Sequence, residues 1–195
     1  MLDKIKSAYE MAMERLKQRR EVPQTEIDRM EHLPIGKALA ANFIREKQYD
    51  LGKEIKRFSS EKMEYVIEGA QETFLNNIFL PEEVTIKDVN NRAKEGLLII
   101  KKDRRGVEEV FKQLDHLFQY YEQALAQTYA QFKEGFTHRM SASVKSLEKR
   151  VGTRLKIDPE SQPVFREEWA KVVGRLNEQY KIYLDEQKEK LRKLK

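Results

Sequence analysis

One segment of this chain carries an apolar residue at every third or fourth position over more than forty residues. Its apolar positions are Val107, Phe111, Leu114, Phe118, Tyr121, Leu125, Tyr129, Phe132, Phe136, Met140, Val144, Leu147 and Val151. They cover 44 residues in 12 steps, a mean spacing of 3.67, which is closer to an eleven-residue repeat than to the 3.5 spacing of heptads. The pattern predicts one amphipathic α-helix over 107–151, roughly 65–70 Å long at 1.5 Å per residue.

A second apolar stripe predicts another long helix, over 161–193, after the turn residues Asp158-Pro159-Glu160-Ser161. Its apolar positions are Phe165, Trp169, Val172, Leu176, Tyr180, Tyr183, Leu191 and Leu194. Folding the two helices antiparallel about residue 156 aligns seven apolar pairs, among them Phe132 with Tyr180 and Phe136 with Leu176. We therefore expect a long antiparallel helical hairpin in this register.

Prolines and capping residues divide the first hundred residues into shorter helices. The predicted helices cover 2–21, 25–32, 34–57, 60–79 and 86–101. Leu97–Ile100 taken alone is also compatible with a strand, but no partner strand is visible. The sequence predicts an all-α fold, with an N-terminal helical bundle over 1–101 and a coiled-coil-like hairpin over 102–195, packed on the bundle as one continuous unit.

The composition agrees with long amphipathic helices and excludes several kinds of site. Charged residues make up 36% of the chain, against about a quarter in a typical soluble domain. The absence of cysteine excludes disulfides, thiol catalysis, Fe–S clusters and cysteine zinc sites, and fits the cytoplasmic location that we expect. The longest apolar run has four residues, far below the ~18 of a membrane span. Charges throughout the first ten residues predict that no secretory leader is present.

No common catalytic or metal-binding spacing is found in the sequence. None of the three histidines has a Glu three residues earlier, so the Glu-x-x-His pattern of helical di-metal sites is absent. Glu134 and His138 share a helical face, for which a solvated pair is a simpler interpretation than a metal site. Phosphate-binding and dinucleotide-binding glycine motifs are also absent. We expect no catalytic residues, no metal and no cofactor, and a site hidden in the bundle is the enzymatic alternative.

Three basic clusters are candidates for binding an anionic partner. The first is Lys101, Lys102, Arg104 and Arg105, the second lies near the predicted hairpin tip, and the third is at the C-terminal end. The candidate contacts in the second and third clusters are Lys149, Arg150, Arg154, Lys190, Arg192 and Lys193. Cations are also favoured at helix C-termini without any partner, and the net charge of +5 is modest.

Glycines and aromatic residues inside the helical patterns predict packing contacts. Gly69, Gly96, Gly135 and Gly174 each cost about 1 kcal/mol relative to Ala within a helix, which indicates close helix crossings, with a hinge as the alternative. Most aromatic rings fall on the apolar stripes, which favours core packing over base stacking. Tyr120 lies off the stripe and is the best candidate for an exposed contact.

Two segments resemble an uncharacterised family of bacterial all-helical proteins. They are His32-Leu33-Pro34-Ile35-Gly36-Lys37-Ala38-Leu39-Ala40 and the stretch from Asp158 through Gln162 to Trp169. No activity is assigned to such a family, so the resemblance implies a bacterial cytosolic protein and supplies no catalytic residues.

These observations favour a non-enzymatic scaffold or adaptor that binds a protein partner through amphipathic helices. A hairpin leaves one side of each helix uncovered, so we also expect a homo-oligomer. The alternative is a nucleic-acid-binding helical module that uses the basic clusters at the hairpin tip and the C-terminal tail.

Overall fold

The computed structural model describes residues 7–9, 11, 22–151 and 158–194, and the regular elements within them are all helical. They are α1 (Gln24–Arg45), α2 (Leu51–Ile55), α3 (Ser60–Asn76), α4 (Val84–Ile100), α5 (Arg104–Val151), a 3₁₀ turn (Pro159–Ser161) and α6 (Pro163–Lys193). The predicted all-α class is confirmed for this part of the chain. Leu97–Ile100 is the last turn of α4, not a strand. Most of the helix predicted over 2–21 lies outside the described residues.

The two helices predicted on either side of Pro34 are in fact one helix. α1 runs through Pro34 and ends at Arg45, so the predicted break before Pro34 is wrong. The helix predicted over 34–57 is interrupted after Arg45 and resumes in α2. Proline removes a backbone donor and disfavours the helical conformation of the residue before it. α1 is nevertheless packed so tightly on α3 that a Cβ on Gly36 would lie 2.0 Å from the carbonyl oxygen of Val66. Tertiary packing, which supplies most helix stability in proteins, outweighs the local effect of proline here.

Arg92 of α4 binds the C-terminal end of α1. Its Nε donates to the carbonyl of Phe43 at 2.8 Å, and its Nη2 donates to the carbonyls of Glu46 and Lys47 at 3.0 and 3.2 Å. The guanidinium carbon lies 3.5 Å from the centroid of the Phe43 ring. Arg92 thus donates to carbonyls at the end of α1 and just beyond it, where intrahelical partners run out, and it fixes the path of the chain after Arg45.

Glycines allow the helices around the core to cross closely. A Cβ on Gly69 of α3 would lie 2.1 Å from the carbonyl oxygen of Leu33, and one on Gly96 of α4 would lie 2.3 Å from Cζ of Phe74. Both predicted crossings are confirmed. The core around them contains Ala40, Phe43, Val66, Ala70, Phe74, Leu75, Ala93, Leu97, Val107, Leu114, Tyr121 and Leu191.

The other two predicted crossings are wrong. Among the described residues, a Cβ on Gly174 of α6 would meet nothing within 4 Å, and one on Gly135 of α5 would meet only the end of the Arg139 side chain at 3.9 Å. A glycine inside a helical pattern is therefore not sufficient by itself to predict a helix crossing in this protein.

α5 and α6 run antiparallel, but in a different register from the prediction. Phe132 packs on Phe165 and Trp169, with ring centroids 4.9 and 5.5 Å apart, and Tyr180 packs on Tyr121 at 5.3 Å. The predicted pairing of Phe132 with Tyr180 is wrong, because its partner Trp169 lies eleven residues earlier, about three helical turns. Periodic stripes can be matched at every turn, so apolar spacing alone does not determine the register.

One residue of the second stripe was also assigned to the wrong face. Leu184 is buried and Tyr183 is 57% exposed, whereas the sequence interpretation placed Tyr183 in the stripe. Most of the other rings pack as predicted, and Tyr120 is 66% exposed, as expected.

The C-terminal half of α6 lies against the N-terminal elements. Asn177 Nδ2 donates to Glu82 Oε1 at 2.6 Å, and the Lys188 ammonium lies 5.7 Å from the centroid of the Phe79 ring. The division at residue 101 into two domains stays a prediction. Among the described helices, none is both long and apolar enough to cross a membrane.

Candidate functional site

The candidate anion contacts predicted from sequence lie at opposite ends of α5. Lys149 is exposed near the C-terminal end of this helix, whereas Arg154 and the side chain of Arg150 lie outside the described residues. The contacts at the end of α6 lie beside the first turn of α5, near Gly106. The 43 residues from Gly106 to Lys149 span about 65 Å of helix. The two groups therefore form separate surfaces.

The structure joins two basic clusters that are almost ninety residues apart in sequence. The buried Lys101 donates from Nζ to the carbonyl of Leu194, and a Cβ on Gly106 would lie 3.0 Å from Cδ2 of Leu194. Burial lowers the pKa of Lys101. We call the resulting surface the basic end, and its exposed members are Lys102, Arg104, Arg105, Lys190, Arg192 and Lys193. The sequence alone did not indicate that these clusters meet, since nothing local connects them.

Acidic side chains reduce the positive charge of the basic end. Arg192 forms an ion pair with Glu189. An open groove of about 600 Å³ along α6 is lined by Ile182, Asp185, Glu186, Glu189, Lys190 and Lys193. Three of these six residues are carboxylates, so the surface is of mixed charge and is not a continuous basic patch.

A polar chain joins α5, α6 and the loop before α4, and it runs from the buried Tyr121 to the exposed Glu82. The hydroxyl of Tyr121 donates to Asn177 Oδ1 at 2.7 Å, and Asn177 Nδ2 donates to Glu82 Oε1. Tyr121 is fully buried, and burial raises the pKa of its hydroxyl. A phenol that stays protonated and hydrogen-bonded in the core fixes the positions of its neighbours, which is a structural role.

A second polar group lies where the chain enters α6. Tyr129 donates from its hydroxyl to Glu160 Oε1 at 2.9 Å, and Lys133 forms an ion pair with the same oxygen. These two hydrogen bonds lower the pKa of Glu160. The group is exposed and holds the 3₁₀ turn against α5.

The surroundings of the histidines do not favour a metal-binding or catalytic site. Asp28, Glu31 and His32 place one ligand atom each within 4.8 Å of one another, but they come from two turns of one helix. His32 Nδ1 hydrogen-bonds to the carbonyl of Asp28 at 2.8 Å, and its ring meets Phe58 edge-on. These contacts explain its burial as packing. His116 and His138 are exposed.

α1 carries apolar residues on its outer side as well as on its inner side. The outer residues are Ile27, Met30, Pro34, Ile35 and Ala38, all exposed, and Met30 is 69% exposed. Met30, Leu33 and Pro34 also line an open groove of about 240 Å³ with Glu26 and Arg29. The guanidinium of Arg29 donates two hydrogen bonds to the carboxylate of Glu68. Hydrogen bonding to Arg29 is the main cause that lowers the pKa of Glu68. We call this surface the outer strip of α1. The sequence alone did not indicate this strip, because its members were divided between two predicted helices, 25–32 and 34–57.

Comparison with protein families gives one match. Residues 52–193, from α2 to the end of α6, match the family of unknown function DUF6657. The chain belongs to this family. The match confirms the resemblance to an uncharacterised family, and the outer strip of α1 lies before the matched segment of this DUF6657 member. The chain has no match among curated proteins or among solved structures.

Proposed function

We propose that this DUF6657 member is a non-enzymatic scaffold or adaptor that binds a partner protein through the outer strip of α1. The observation that carries the proposal is the apolar character of α1 on both sides. Gly36, Ala40 and Phe43 are buried on its inner side, and the outer strip is exposed. Exposed apolar side chains that adjoin one another mark interaction surfaces, so we infer that the outer strip binds a second surface.

The spacing of the outer strip fits an amphipathic helix of a partner. Ile27, Met30 and Pro34 follow the i, i+3, i+7 pattern, and the groove beside Met30 can take an apolar side chain. Helix-in-groove recognition uses this kind of anchor spacing.

Three further expectations belong to this proposal. The chain is organised as a bundle over 1–101 and a coiled-coil-like hairpin over 102–195. It forms a homo-oligomer. It acts in the cytoplasm of a bacterium and requires no cofactor.

The test uses Met30→Glu, which places a charge in the outer strip, with Gln48→Glu as a control at an exposed position outside α1. We expect the wild-type chain and the control to capture a helical partner from the host and to bind it again as purified components. Met30→Glu should abolish capture while changing stability by less than about 0.5 kcal/mol, as expected for an exposed site. A large loss of stability in Met30→Glu alone would mean that the chain covers this strip itself, and would contradict the proposal.

Nucleic-acid binding is the second candidate function, and the basic end favours it because two cationic clusters meet there. In the same capture experiment, nucleic-acid binding predicts that the captured material is lost after nuclease treatment. It also predicts that affinity falls with salt at a log–log slope of about −0.9 per phosphate contact on duplex DNA. The carboxylates of the α6 groove argue for fewer such contacts.

A further inference from the structure

The middle of α5 is almost free of charge in a chain that is rich in charge. At the chain average of 36%, the twenty residues 113–132 would carry about seven charged side chains, but they carry two, Asp115 and Glu122. Both face α4: Asp115 pairs with Lys94 at 2.7 Å, and Glu122 pairs with Lys87. The rest of this segment therefore presents no formal charge to solvent.

The side of α5 that faces away from α4 forms a continuous exposed strip. Its members are His116, Gln119, Tyr120, Gln123, Ala126, Gln127 and Ala130. Steps of three and four residues place them on one side of the helix. In the described part of the chain, the elements that pack on α5 are α4, α6 and the 3₁₀ turn, and Asp115, Glu122, Tyr121 and Phe132 make those contacts from the other sides. We call this surface the neutral strip.

The neutral strip shares two features with the centres of interfaces, the lack of charged side chains and an exposed tyrosine. Protein–protein interfaces are depleted of Lys, Glu and Asp at their centre and enriched in Tyr, and Tyr120 is 66% exposed. Two alanines leave room for a second helix to approach.

We propose that the neutral strip binds the neutral strip of a second copy of this chain, with the two α5 helices antiparallel and the two-fold axis near Gln123. This inference deepens the proposed self-association by naming its surface. A two-fold axis pairs residues that are equally far from Gln123 in opposite directions. It places the large Tyr120 opposite the small Ala126, and His116 opposite Ala130.

The charges at the two ends of the strip select the antiparallel arrangement and this centre. Lys112 and Glu134 are both exposed and each is eleven residues from Gln123. In the antiparallel pair, Lys112 of each copy lies opposite Glu134 of the other, which is attractive. A parallel pair would place lysine against lysine and glutamate against glutamate. Lys112 is available for this contact, since its pairing with Glu109 is long, at 3.9 Å.

The size of the strip indicates a weak dimer. From Lys112 to Glu134 the helix is about 33 Å long, and one helix is about 10 Å wide, which gives a footprint of about 330 Å². A standard interface buries about 800 Å² per partner. We expect a dissociation constant on the order of 10⁻⁶–10⁻⁴ M.

Sedimentation equilibrium of the purified full chain, from micromolar to submillimolar concentration, tests the inference. Wild type should shift from the 23.2 kDa monomer towards a dimer. Lys112→Glu and Glu134→Lys should each weaken the dimer about fivefold to thirtyfold, because two exposed ion pairs become like-charge contacts. The double variant Lys112→Glu/Glu134→Lys should restore wild-type association. Gln123→Glu should also weaken the dimer, since it places two carboxylates at the axis.

The control Gln48→Glu adds the same charge away from the strip and should leave association unchanged. Circular dichroism of each variant checks that the helices are intact. A dimer that the strip variants leave unchanged, or that the double variant does not restore, would overturn this surface and leave the proposed self-association standing. A chain that stays monomeric at every concentration would overturn both.

Discussion

Asn90 shows how a single side chain positions a loop in this protein. It is 2% exposed in α4, its Oδ1 accepts from the backbone N–H of Phe79 at 2.8 Å, and its Nδ2 donates to the carbonyl of Phe79 at 2.8 Å. The amide therefore acts as a backbone partner for a residue outside regular structure. The same loop carries Glu82, which continues the polar chain to α6.

Asn90→Asp keeps the shape of the side chain but removes its donor. The carbonyl of Phe79 would lose its hydrogen bond and a carboxylate would be buried, so we expect a loss of about 1–3 kcal/mol in the free energy of unfolding. Urea denaturation measures this loss. Asn91→Asp is the matched control, since the neighbouring Asn91 is exposed and should change stability by less than about 0.5 kcal/mol. Equal effects at the two positions would contradict the role given to Asn90.

At the scale of the helices, the contact between α1 and α3 depends on the absence of two side chains. Gly36 of α1 and Gly69 of α3 each lie against the backbone of the other helix. Because backbone atoms cannot move aside as a side chain can, any added methyl group must push the helices apart.

Glycine-to-alanine substitutions therefore have opposite effects in different helices. Gly36→Ala should lower the free energy of unfolding by about 1–3 kcal/mol, since the core would be overpacked. Gly174→Ala should raise it by roughly 0.5–1 kcal/mol, because the site is open and alanine is the better helix former. Urea denaturation of the two variants under the same conditions is the measurement. Stabilisation by Gly36→Ala would show that α1 and α3 do not cross closely.

The existence of the helices could be predicted from sequence much better than their mutual arrangement. The stripe over 107–151 predicted α5, which runs over Arg104–Val151, because helical periodicity is a local property of the chain. The break after Arg45 was missed, and the group that binds the chain there, Arg92, is almost fifty residues away. The outer strip of α1 was missed for a related reason: packing against neighbouring helices, mainly α3, decides which apolar side of that helix is buried.

At the scale of the whole molecule, α6 connects distant regions. Trp169, near its N-terminal end, packs on Tyr129 and Phe132 of α5, whereas Asn177 and Lys188 contact the N-terminal elements. One continuous helix thus takes part in both halves of the predicted division at residue 101.

Because of these shared contacts, we expect the chain to unfold in a single transition. Trp169 is the one tryptophan of the chain, so its fluorescence reports on the α5–α6 contact, while far-ultraviolet circular dichroism reports on all helices. The two unfolding curves in urea should coincide, as for a two-state protein. A tryptophan transition at clearly lower urea would show that residues 102–195 unfold as a separate domain.

The sequence by itself determined the helical class, the long helix α5 and the lack of familiar catalytic or metal-binding spacings, since these follow from periodicity and residue types along the chain. Only the tertiary structure decided the register of α5 and α6, the continuity of α1 through Pro34 and the meeting of two basic clusters at one end. The physical reason is that apolar stripes match one another almost equally well at each helical turn. The arrangement is selected by contacts that occur once, such as Gly36 against Val66, Asn90 with Phe79, and Tyr121 with Asn177.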